Sequence, residues 1–97
     1  MTNLKNTATE QKMNLEAETL LNEHRKRKQL LEEERHRYTI LQLRLTNIVA
    51  QIKELEEKND LTGIEELKLA SLRASINELK EALRLIAEHM RRIEGRL

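Results

Sequence analysis

Residues 55–66 read Leu55-Glu56-Glu57-Lys58-Asn59-Asp60-Leu61-Thr62-Gly63-Ile64-Glu65-Glu66, and this stretch holds the one strong break in the chain. Asn, Asp and Gly favour turns, and one of only two glycines in the sequence is Gly63. Thr62 followed three residues later by Glu65 is a capping box, in which each side chain satisfies a backbone N–H left free at a helix start. The stretch therefore ends one helix and begins another. Thr7 with Glu10 repeats the capping pattern near the N-terminus, and Gly95 supplies a C-terminal stop. The reading is two helices, about 8–58 and 63–95, a turn at 59–63, and frayed residues 1–6.

Outward from the turn, both segments carry the same apolar period. Leu69, Leu72, Ile76, Leu79, Leu83, Ile86, Met90, Ile93 and Leu97 alternate spacings of three and four, and so do Tyr38, Leu41, Leu45, Ile48, Ile52 and Leu55. A period of 3.5 builds a left-handed seam against another helix. A turn of about five residues forces the two helices to fold back antiparallel, so facing residues have numbers adding to roughly 122. The fold class that follows is all-α, a two-helix antiparallel coiled-coil hairpin that completes a helical bundle with a second copy or a partner.

Composition agrees. The 97 residues contain no proline, no cysteine and a single aromatic, Tyr38, while 36% are charged. Long salt-bridged helices with a thin shared core have this composition. Net charge is +1, so no global field draws the chain to nucleic acid or anionic lipid. The first 20 residues hold no continuous apolar run, and no stretch approaches the ~20 apolar residues of a membrane span. A cytoplasmic protein is expected, which leaves the cell, if at all, without an N-terminal signal.

Helix 2 ends opposite residue 25 or so, and helix 1 overhangs beyond that point. Traced backwards, the seam keeps Leu31, Leu20, Ala17 and Met13 but admits His24, Arg27 and Glu34, which either fix register or mark a frayed stretch. Leu15, Leu20 and Leu21 on the overhang have no intrachain partner. Ile40 and Leu43, continued by Ala50, point away from the seam, and Leu67 and Leu85 do so on helix 2. These seven large residues are the candidate partner-binding set, for another helical protein or a second copy. Ordinary surface leucines are the competing reading.

The run His24-Arg25-Lys26-Arg27-Lys28 is basic, and the antiparallel fold brings Arg91, Arg92 and Arg96 beside it. Glu54, Glu56, Glu57, Asp60, Glu65 and Glu66 make the turn end acidic. A basic patch of Arg25, Lys26, Lys28, Arg91, Arg92 and Arg96 can hold phosphates or an acidic protein surface, so nucleic-acid binding is the alternative function. No aromatic is interleaved to stack on bases. Pairing with Glu32, Glu33 and Glu34 as a solvated face is the plainer reading.

His24, His36 and His89 lack metal-ligand spacing, and no Gly-rich phosphate loop, activated nucleophile or Cys/His cluster occurs. Neither a cofactor, a metal nor catalysis is expected. Leu72-Arg73 with Ile76 and Leu79 looks like the opening helix of small all-helical chorismate mutases, but no further helices follow to complete that pocket.

In outline the chain resembles the WXG-type proteins and related small helical partners of type VII secretion. Those are hairpins of similar length that pair with another hairpin. Their turn carries Trp-x-Gly where Leu61-Thr62-Gly63 stands here, and the tyrosine-containing acidic export tail is missing. The resemblance implies a non-catalytic adaptor, targeting or assembly factor, escorting a toxin or effector rather than being exported itself.

Overall fold

The computed structural model describes residues 4–97. It contains two helices, α1 (Leu4–Glu56, 53 residues) and α2 (Gly63–Glu94, 32 residues), packed against each other as an all-α hairpin. At ~1.5 Å per residue α1 alone is about 80 Å long, and the molecule measures 92 × 17 × 15 Å. Neither proline nor glycine interrupts the sequence before Gly63, so nothing in it breaks the first helix.

Thr7 lies inside the first turns of α1 rather than in front of it, because the helix already runs from Leu4. The frayed segment expected at 1–6 is helical at residues 4–6, while residues 1–3 fall outside the described residues. The turn occupies residues 57–62, slightly earlier than expected. Its capping box is complete. Thr62 is extended at φ −69 and ψ 162, its hydroxyl accepts from the Glu65 N–H at 3.2 Å, and Glu65 Oε1 accepts from the Thr62 N–H at 3.2 Å. Lys58, just past the end of α1, donates to the same Glu65 carboxylate and ties the two helices together across the turn. No described residue, glycine included, has a positive φ, and a Cβ built on Gly63 would meet nothing within 4 Å.

Packing follows the seam. Ile52, Leu55 and Leu69 are buried beside the turn, with Ile48, Leu61, Leu72 and Ile76 against them. Leu31, Leu83 and Ile93 are buried towards the open end. Among the described residues no side chain is wholly sequestered, as a core one residue thick requires. Cross-helix pairs fix the register: Glu34 with His89, Arg27 with Arg96, and Lys58 with Glu65 each have numbers adding to 123. Leu69 meets Leu55, as this register requires. Leu67, which the heptad places off the seam, is turned outward.

The polar residues traced onto the seam stay on it. His24 and Arg27 are half-buried, and Glu34 is 4% exposed. The helix does not fray there. Arg37 Nη1 donates to Glu34 Oε1 at 2.9 Å, and His89 Nδ1 lies 3.0 Å from Oε2, so both carboxylate oxygens have a partner. His89 is thus aimed at Glu34 rather than His36. On one flank, Arg73–Glu56 at 3.0 Å and Arg35–Glu94 at 3.5 Å bridge the helices. Both are exposed and contribute little stability each. Among the described residues no helix is long and apolar enough to cross a membrane.

Candidate functional site

α2 stops at Glu94, where the Gly95 N–H bonds to Arg91 O in ordinary helical geometry. Leu97 comes level with Arg27. From Glu23 back, the heptad seam of α1 continues without anything opposite it, and every residue from Thr9 to Glu23 is exposed. Leu20 is 67% and Leu15 64% exposed, with Leu21 and Met13 beside them. This overhang is a stretch of helix about 30 Å long. An isolated helix of that length is marginal in water, so its order here is inherited from continuity with the packed part of α1.

The other candidate residues do not form one stripe. Ile40 follows Tyr38 by two and Leu85 follows Leu83 by two, so both hold equivalent places in the heptad and lie level on the same flank of the hairpin. Leu43 points directly away from α2. Leu67 points away from α1, near the turn, on the opposite edge of the rod. The structure therefore separates the seven residues into the overhang, the middle of the rod and the turn end.

Charge, more than apolarity, marks these surfaces. The outward positions of α1 between residues 36 and 50 are His36, Thr39, Ile40, Leu43, Thr46, Asn47 and Ala50, all exposed and none of them Lys, Arg, Asp or Glu. In a chain 36% charged, whose outer helix positions elsewhere carry Lys, Arg, Asp and Glu, seven consecutive outward positions without one is a distinct patch. Beside it, Tyr38, Gln42, Leu45 and Leu83 join Thr39, Leu43 and Thr46 in lining a groove of about 560 Å³. Early α2 has a similar face of Ile64, Leu67, Ala70, Ser71 and Ala74, on which Ile64 is 81% exposed. A search for leucines alone finds only part of both faces. The missing charges are the signal that shows them whole.

The basic residues do converge. Arg25, Lys26, Lys28, Arg91, Arg92 and Arg96 are exposed at the open end, where the Arg27 guanidinium donates to Arg96 O at 3.2 Å. Among the described residues none of those six is in an ion pair, whereas Arg27 lies 3.7 Å from Glu23 and Arg35 pairs with Glu94. At the other end Glu54, Glu57, Asp60 and Glu66 are likewise outside any ion pair, while Glu56 and Glu65 are engaged. Lys58 holds the Glu65 carboxyl below its ordinary range through a hydrogen bond, helped by the Thr62 N–H, and Glu65 raises Lys58 in return. The rod is basic at its open end, acidic at its turn and, on the outward positions of the middle of α1, uncharged, with Arg37 and Arg44 exposed to the side of them. Among the described residues no group of three or more His, Asp or Glu could hold a metal ion. Comparison of the chain with known protein families, characterised proteins and solved structures finds no match.

Proposed function

We propose that this chain is a non-catalytic interaction protein, acting as an adaptor, targeting or assembly factor that captures other helices. The observation that carries the reading is the overhang, where the heptad seam runs on through Leu20, Ala17 and Met13, with Leu15 and Leu21 exposed on the neighbouring positions and nothing to cover them. Exposed apolar residues at helical spacing, continuous with a packed seam, are what a helix-in-groove or coiled-coil partner covers. The hairpin outline shared with WXG-type partners supports a toxin or effector as the client, met in the cytoplasm before export. The test is co-expression with the products of neighbouring genes and co-purification. A client should be held by the native chain and lost from Leu15→Glu/Leu20→Glu/Leu21→Glu. Retention of the client by that variant, with the rod still helical, overturns the reading.

A second reading rests on the six unpaired basic residues gathered at the open end: a small regulator that binds nucleic acid. It requires binding that weakens steeply with added salt and is lost when Arg91, Arg92 and Arg96 are neutralised. Absence of DNA or RNA binding at low salt eliminates it.

A further inference from the structure

The outward face of the middle of α1, uncharged from His36 to Ala50, is flanked along the helix by charged residues of both signs, and this decides what covers it. Towards the open end the outward positions are Glu33 and Glu32, then Lys26 and Arg25. Towards the turn they are Lys53 and Glu54, with Glu57 and Asp60 in the turn itself, just past the end of α1. Leu43, 61% exposed, lies near the middle of the sequence between these flanks.

We propose that this face binds a second copy of the chain, antiparallel, with a two-fold axis passing beside Leu43. The proposal rests on the interaction-protein reading above and names one partner for it. With Leu43 against itself, Arg25 and Lys26 of one copy come within a helical turn of Glu57 and Asp60 of the other, and Glu33 comes level with Lys53. Glu32 falls level with Glu54 and Lys28 with Lys58, the two unfavourable pairings; Lys53 beside Glu54 offsets the first, and Lys58 is already paired with Glu65. A parallel pair would instead stack each charged cluster on its own copy, which costs free energy at every cluster. Because the contact is isologous, it closes at two copies and leaves both overhangs open to clients.

The α1 face from residue 25 to its end at residue 56 is about 48 Å by 10 Å, roughly 500 Å² on each copy. The total of about 1,000 Å² lies at the lower limit of specific interfaces, which makes this a weak, reversible dimer.

The absence of cysteine makes the test clean. In sedimentation equilibrium the purified chain should pass from monomer to dimer with rising concentration and stop there, and Leu43→Glu should weaken the association roughly 100-fold with helicity retained. Single-cysteine variants, which add no charge on the patch, report the register. Leu43→Cys alone should give a disulfide-linked dimer on mild oxidation. Gln29→Cys mixed with Glu57→Cys should link to each other and neither to itself. A monomer at all concentrations overturns the proposal, and so does Gln29→Cys linking to itself. Open-ended growth, which would mean α1 packing on the outer face of α2 in another copy, also overturns it. A monomer whose overhang still holds its client would refute the dimer alone. A dimer of this register that holds no client would support the dimer and refute the adaptor reading.

Discussion

His89 Nδ1 on α2 lies 3.0 Å from Glu34 Oε2 on α1, at a seam position where the following heptads place Leu41, Ile48 and Leu55. The carboxylate is 4% exposed, so its partners are needed to offset the loss of water. His89→Ala leaves the buried group with Arg37 alone and should cost about 1–3 kcal/mol. Glu34→Leu removes the buried charge altogether and should be neutral or stabilising by about 1–4 kcal/mol. Urea unfolding followed by circular dichroism distinguishes these signs. If the polar layer also fixes register, cysteine pairs placed across the seam will cross-link in more than one register in Glu34→Leu.

The packing makes a sharp contrast between two leucines only two residues apart. Leu69 is buried against Ile52 and Leu55, while Leu67 is 73% exposed. Leu69→Ala should lose about 2–4 kcal/mol, and Leu67→Ala should stay within about 0.5 kcal/mol of the native chain. Equal losses in a denaturant titration would contradict the register.

The turn gives a pH dependence whose sign is fixed by its charges. The Glu65 carboxyl is held below its ordinary 4.5, so its contribution is present above that pH and fades as pH falls through the lowered value. Lys58 is held above its ordinary 10.5, so its contribution is present below that pH and fades as pH rises through the raised value. Stability from this pair therefore spans the range between the two. Glu65→Gln should flatten the acid limb of a stability–pH curve. Thr62→Ala should cost about 1 kcal/mol at neutral pH through the lost cap.

Gly63 opens α2 with a negative φ and open space where a Cβ would stand. Gly63→Ala should raise stability by about 0.4–1 kcal/mol, mainly by restricting the unfolded chain. A loss on thermal unfolding would mean that the turn needs the glycine after all.

The hairpin, its register and the convergence of the basic residues were legible in the sequence because a 3.5 period and one turn determine them by geometry. Facing numbers expected near 122 are observed at 123. The start of α1 was not legible, since a capping pattern at Thr7 marks a place where a helix can begin without compelling it to. Glu34 read as a fault in the seam because its remedy, His89, lies 55 positions away in sequence. The face around Leu43 was seen only through Ile40, Leu43 and Ala50. Thr39, Thr46 and Asn47 carry no apolar signal and matter by not being charged.

Among the described residues no side chain in the seam is wholly enclosed, and the two helices meet along a single seam. The hairpin is therefore close to a one-dimensional system, closed by the turn at one end and free at the other. Opening will begin where Arg27 meets Arg96 and run layer by layer towards Leu55. Backbone amides should accordingly exchange with solvent in a gradient along the rod, fastest on the overhang and slowest around Ile52 and Leu69.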